Sequence, residues 1–336
     1  MSVRGGRRIN QTRRNALTKR GALSLAVASL FALTFGTAHA ERMSYGLSSA
    51  GLSYPFAAAI AKGFQDAADK AGVEAIILDA QGRVQKQAND IDDLIGQNVK
   101  GIAVMPLDSV VAQSWVERAS RAGIPVAAVG SQVGDPKTRD LKDVYPKLIA
   151  LITQDEIAAG HEAGQLSMKL LPRDRVAKIA VIEGAPGFSE VLQRLQGFQQ
   201  ALNEAHVRYR IVASQPGDWT AEKADAACQN ILAAHPDVDL FFNEADDMAV
   251  GCARAVRAAG SKAKLIGIGG SKLAILSIKA GRVDGTVCYK PESLGSLAFN
   301  ALHAQVSGAK AAQAQFVTYR TPGVTRADIG QCTGQW

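Results

Sequence analysis

After residue 40 the sequence has no uninterrupted apolar run approaching the ~18 residues that a membrane-spanning helix needs, so no span is expected there. Acid is missing from one region: residues 1–40 hold Arg4, Arg7, Arg8, Arg13, Arg14, Lys19 and Arg20 and no Asp or Glu. Beyond them the 31 acidic residues are matched by an equal number of basic ones, so the net charge of +7 belongs to the first forty residues. A neutral body removes the compositional support for a nucleic-acid partner. Histidine is scarce, and His161, His206, His235 and His303 lie near no nucleophile-elbow pattern. Walker A, zincin and EF-hand loops are missing. Catalysis therefore lacks sequence support, and neither a metal nor a cofactor is expected. There are 4 cysteines, Cys228, Cys252, Cys288 and Cys332, too widely spaced for a compact zinc motif.

What is present begins with an export signal. A basic stretch ending at Arg20 precedes an apolar run over 21–36, and Ala38-His39-Ala40 is a small-x-small cleavage pattern before Glu41. A membrane anchor is the other reading of that run, but its Gly, Ser and Thr make it a poor span. Thr12-Arg13-Arg14-Asn15-Ala16-Leu17 partly matches a twin-arginine signal, with Ala where Phe is usual, so the export route stays open. An oxidising compartment permits disulfides. Cys228 with Cys252 is the favoured pair, since both fall on helices expected to be neighbours; free buried cysteines are the alternative.

At 336 residues the chain is long for one core and suits two lobes. Strand patterns at 43–48, 74–78, 101–105 and 124–129 alternate with helical patterns at 55–71, 84–97 and from Asp108-Ser109. The alternation restarts with strands at 178–182, 207–213, 238–242, 264–268 and 285–289 and a helix at 189–205. Residues 134–145, charged and containing Pro and Gly, read as a surface loop. Two consecutive α/β sheets with buried parallel strands follow, and the cleft between them is the natural ligand site. Gly267-Ile-Gly269-Gly270-Ser271 has a dinucleotide flavour but lacks the third glycine at the right spacing. It is better read as a close-approach turn with Ser271 as helix N-cap.

The order of segments resembles the sugar-binding proteins of bacterial ABC importers, the ribose-binding group. The matching stretches are Tyr54-Pro55-Phe56, Gly63-Phe64-Gln65, Leu78-Asp79-Ala80-Gln81, the run from Gly101 to Ser109 and Gly123-Ile-Pro125-Val126. Gly197-Phe198, Ser214-Gln-Pro-Gly-Asp-Trp219, His235-Pro236-Asp237-Val238 and Asp246-Asp247-Met248-Ala249-Val-Gly251 continue the series to about Phe316. The resemblance implies a type I periplasmic binding fold: two doubly wound parallel-sheet α/β lobes joined by three crossover strands, near 153–155, 288–291 and 317–320. The implied organisation is a signal peptide at 1–40, an N-terminal lobe at 41–153 plus 290–317, and a C-terminal lobe at 154–289 plus 318–336. The implied function is that of a monomeric periplasmic solute-binding protein, not an enzyme. It would capture a small-molecule ligand by hinge closure and deliver it to an ABC permease in the inner membrane. A sensor subunit presenting ligand to a chemoreceptor or kinase is the alternative from another class. Sugar-regulator repressors share the fold but begin with a helix-turn-helix rather than a leader.

Departures from the family pattern concern the ligand. Phe56 and Trp219 match two of its aromatic rings, and the third falls on Ala57. The polar set is mostly replaced: Gly130-Ser131 for Asp-Arg, Leu192 for Arg, Ala245 for Asn, Gly269 for Asp and Tyr289 for Gln. Bidentate contacts orient sugars, so this loss points away from ribose. The candidate ligand-binding residues are Tyr54, Phe56, Ser131, Glu190, Trp219, Asp246, Gly269 and Tyr289. Gly130 and Gly269 are expected to make room and expose N–H groups, and the helix start at Ser271-Lys272 to receive a polar group. Two readings of the pocket compete: a cation in an aromatic box near Glu190, Glu244 and Asp246, or a neutral polyol, larger sugar or aromatic compound that stacks and uses backbone donors; for the acids themselves, solvated helix starts are the preferred reading.

Overall fold

The computed structural model describes residues 43–308 and 313–336; the expected leader lies outside them. Two six-stranded sheets organise the chain. The first runs β11-β5-β4-β3-β1-β2, from β1 (Ser44–Ser49), β2 (Glu74–Asp79), β3 (Ile102–Val104), β4 (Val126–Val129), β5 (Leu148–Ile152) and β11 (Gln315–Val317). All of its pairings are parallel. The second runs β12-β10-β9-β8-β6-β7, from β6 (Ala177–Glu183), β7 (Tyr209–Pro216), β8 (Leu240–Asn243), β9 (Lys264–Gly269), β10 (Gly285–Cys288) and β12 (Gly323–Thr325). Only β12 runs antiparallel. The intervening helices are α1 (Pro55–Ala71), α2 (Val84–Gly96), α3 (Ala112–Arg121), α4 (Glu156–Met168), α5 (Ser189–Glu204), α6 (Ala221–Ala234), α7 (Asp246–Ala258), α8 (Lys272–Lys279) and α9 (Pro291–Val306). No described helix is long and apolar enough to cross a membrane.

Central strands such as β3, β4 and β5 are buried along their whole length, as parallel strands covered on both faces must be. The chain passes between the sheets after β5, after β10 and between β11 and β12. These are the three crossovers of the expected fold class, two doubly wound α/β lobes. β5 went unread in the sequence: Leu148-Ile-Ala-Leu-Ile152 is a five-residue apolar run without alternation, which periodicity alone does not assign. The 134–145 loop is not wholly superficial. Its charged residues face solvent, while Leu141 and Val144 are buried beneath them.

Helices meet through glycine where backbones touch. A Cβ on Gly160 of α4 would lie 2.0 Å from the Arg194 carbonyl oxygen, and one on Gly197 of α5 would lie 1.9 Å from that of Ile157. This approach sets Glu156 of α4 beside Arg194 of α5. Gly63 and Gly295 play the same part between α1 and α9. Two disulfides form, Cys228–Cys252 between α6 and α7 and Cys288–Cys332 between the end of β10 and the segment after β12. The first is the favoured pair. The alternative of free cysteines is set aside, since none is free.

Candidate functional site

The carboxyl ends of both sheets converge on a cavity of about 70 Å³, at the position where open α/β sheets bind ligands. The β1–α1 turn contributes Tyr54 and Phe56, and β6–α5 contributes Phe188 and Glu190. Trp219 follows β7, Asp246 opens α7, Gly269 ends β9 and Tyr289 follows β10. Seven of the eight candidate residues therefore line one space. The eighth, Ser131, is buried next to it and donates from Oγ to the Glu190 carboxylate at 2.8 Å.

That bond joins the turn after β4 to the start of α5 and is one of a set. Gln132 N–H donates to Ser189 Oγ at 3.2 Å, Gln193 Nε2 donates to Gln132 Oε1, and Ser109 N–H donates to the Gly187 carbonyl at 3.1 Å. One rim of the cleft is thus held closed by protein–protein hydrogen bonds.

A buried ionic network stands behind the cavity. Arg194 Nε pairs with Glu156 Oε2 at 2.7 Å, and Arg194 Nη1 donates to the Glu244 carbonyl at 2.6 Å. Its guanidinium lies 5.5 Å from the Trp219 ring centre and 5.3 Å from that of Tyr289. Tyr289 Oη donates to Glu156 at 2.7 Å, Gln154 Nε2 donates to the other Glu156 oxygen, and Tyr319 accepts from Lys290 N–H. Residues of all three crossovers therefore meet in one set of contacts.

Several expectations are corrected here. Glu190, Glu244 and Asp246 are not solvated helix starts; they are 5%, 0% and 1% exposed. Glu190 and Asp246 lie in the first turns of α5 and α7 and Glu244 just before α7, but other elements cover them: Ser131 donates to Glu190, Gly184 N–H to Glu244, and Ser271 N–H and Thr286 Oγ1 to Asp246. Burial pushes the Glu190 and Asp246 carboxyls up to about 7 and raises Glu244 well above the usual carboxylate range. The start of α8 is not open to a ligand either. Ser271 caps it as expected, but Asp246 Oδ2 accepts from Ser271 N–H at 2.7 Å and the Trp336 carbonyl accepts from Lys272 N–H. Gly130 exposes no N–H, since that group bonds the Ile152 carbonyl. It does not line the cavity, where Met105 and Ala50 stand on the first sheet's side. Gly269 lines the cavity, but a Cβ there would meet Asp246 and Trp336 at 3.1 Å, so the room it leaves is taken by protein.

Among the lining residues missed in the sequence are two aromatics and a cation, Phe188, Trp336 and Arg194. Position 192 is a leucine that is 44% exposed, while Arg194 faces inward. Its spacing of four from Glu190 puts the two on one helix face, which is the signal that was available. Trp336 had no local signal; it arrives through a long-range disulfide.

A pH effect follows from the two carboxyls. Their unfolded values, 4.5 and 3.8, lie below the folded value of about 7. The folded state thus holds protons that the unfolded chain releases, and stability falls as pH rises through this window. The expected slope is about 1.4 kcal/mol per pH unit per group, present at pH 5–7 and gone above about pH 8. Glu190→Gln should remove its half of the slope in denaturant unfolding measured at pH 5 and 7.5. An unchanged slope would place Glu190 in contact with solvent.

Two α/β lobes with an aromatic cavity and a buried ionic network between them define the architecture of a ligand-binding protein. The chain belongs to the periplasmic binding protein family: the model described as periplasmic binding protein domain matches residues 45–310. It is 32% identical to the ribose import binding protein of Bacillus subtilis over 270 residues, covering 80% of this chain and 84% of the relative. It is 30% identical to the D-allose-binding periplasmic protein of Escherichia coli over 272 residues, covering 80% and 86%. Among solved structures, the Caulobacter myo-inositol binding protein bound to myo-inositol superposes with a TM-score of 0.78 at 27% identity, covering 87% of this chain and 96% of that one.

Proposed function

We propose that this protein is the monomeric periplasmic solute-binding component of an ABC importer, exported by a leader cleaved near Ala40, that closes on a small sugar or cyclic polyol and delivers it to an inner-membrane permease. The observation that carries this is the cavity itself. Aromatic side chains from both lobes, Tyr54, Phe56, Phe188, Trp219, Tyr289 and Trp336, line a space of about 70 Å³, below the ~300–1,000 Å³ of drug-sized pockets. Trp219 Nε1 is buried with no acceptor among the described residues, leaving a donor for a hydroxyl. The relatives' ribose, allose and inositol support this ligand class, and their import role supports delivery over sensing. The lobes of this reading are 41–153 plus 290–317 and 154–289 plus 318–336, supported by chain passages between the sheets after β5, after β10 and between β11 and β12.

D-ribose is not the expected best ligand, because the polar side chains that the family sets around it fall here on Gly130, Ser131, Leu192, Ala245 and Gly269. A thermal-shift panel of D-ribose, D-allose, myo-inositol, amines and aromatic acids tests both statements, since a tight binder raises the melting temperature by mass action. The largest shift should come from a sugar or polyol other than D-ribose. A largest shift from D-ribose would overturn the specificity reading, and shifts from amines or acids alone would overturn the sugar class.

A further inference from the structure

We propose that residues 332–336 form a disulfide-held strap across the cleft, with Trp336 as the wall that sets which ligands fit and Cys288–Cys332 as the element that positions it. This rests on reading the cavity as the ligand site. Trp336 lines that cavity and meets Phe56 of α1 edge-to-face, ring centres 5.5 Å apart at 80°. Its Nε1 is buried and has no acceptor among the described residues.

The strap is tied to both lobes. The Trp336 carbonyl accepts from Lys272 N–H at 2.9 Å, at the start of α8. Gln335 Oε1 accepts from Glu292 N–H at 2.9 Å, at the start of α9. Two helix starts whose N–H groups lack intrahelical partners are thus satisfied by adjacent residues of one segment.

The fold also makes room for it. A Cβ on Gly270 would lie 2.5 Å from Cys332 Sγ and 2.8 Å from Cys288 Sγ, and one on Gly269 would lie 3.1 Å from Trp336 Cζ2. Both glycines have positive φ, 147° at 269 and 72° at 270. The Gly269-Gly270 pair is accounted for as the cradle of the disulfide and the indole.

Two double variants and one single variant test this. Hydrogen exchange on Cys288→Ala/Cys332→Ala should show the Lys272 and Glu292 amides exchanging at least about 10-fold faster than in the wild type, through local release of the strap. Cys228→Ala/Cys252→Ala, which loses the other disulfide, should leave both amides unchanged and controls for general loosening. Slow exchange in the first variant, or equal acceleration in the control, overturns the positioning role. Titration of wild type and Trp336→Ala with D-ribose, D-allose, myo-inositol and maltose should show the best wild-type ligand weakened about 10-fold or more and maltose gaining relative to it. Identical profiles, with a wild type that at least one of the four saturates, overturn the wall. Failure of the functional reading shows separately, as a wild type that none of the four sugars and polyols saturates.

Discussion

Replacing Trp219 by alanine is expected to weaken ligand binding by about 30-fold or more, the ~2 kcal/mol of a central aromatic anchor. The ring is held by protein on several sides and faces the cavity on another. Its six-membered part lies against the backbone of Gly184, where a Cβ would stand 1.8 Å from Cη2. Phe188 meets it edge-to-face at 5.5 Å, and the Arg194 guanidinium lies 5.5 Å from its centre. The backbone bears strain to put it there: Asp218 and Trp219 have φ of 48° and 62°, a left-handed conformation that disfavours bulky residues by ~1–2 kcal/mol each. The Lys223–Asp218 ion pair at 2.6 Å and the Thr220 cap of α6 hold the turn. Backbone strain of this kind clusters at ligand clamps and active sites, which is why the substitution is the one to make. Calorimetric titration of Trp219→Ala with the best ligand gives the ratio directly, and unchanged affinity would place Trp219 outside the binding cleft.

The second large effect concerns stability. Arg194→Ala is expected to cost about 3–5 kcal/mol, because removing one partner of a buried ion pair leaves the other uncompensated. Both partners are nearly sealed, with side chains 7% and 2% exposed. The loss would leave Glu156 with only Tyr289 and Gln154, remove the donor to the Glu244 carbonyl, and uncover two ring faces. The double variant Glu156→Gln/Arg194→Met should recover a large part of the loss, since neither charge then remains buried. Urea unfolding of the two variants decides it. A cost below 1 kcal/mol for Arg194→Ala would mean that the network is wet and does not hold the hinge.

The fold was legible because buried parallel strands alternating with helices leave a strong pattern, and the order of matched segments fixed the class. Legibility failed where the informative contact is distant in sequence. β5 is too short and too uniformly apolar to announce itself. The acids at 190, 244 and 246 look like ordinary helix starts, because the residues that cover them come from other elements. Gly269 and Gly270 suggest open room, yet the occupants are Trp336 and Cys332, more than 60 residues away (the Cys332 Sγ to Gly270 carbonyl contact spans 62 positions). Seven candidate residues converge because the family places strand ends around one cleft. Arg194 and Trp336, which also line that cleft, lie outside this pattern: Arg194 is signalled only by its spacing from Glu190, and Trp336 by nothing local.

The central claim is that this chain takes up one small sugar-like solute and leaves it chemically intact. Isothermal titration of the protein with D-allose, myo-inositol and D-ribose, with the sugar recovered and analysed afterwards, tests it most directly. At least one should saturate a single site per chain, with Trp219-dependent affinity and the ligand returned unchanged. Heat that continues after saturation in proportion to protein, with a new product, would contradict the account, as would the failure of every sugar and polyol to saturate the site.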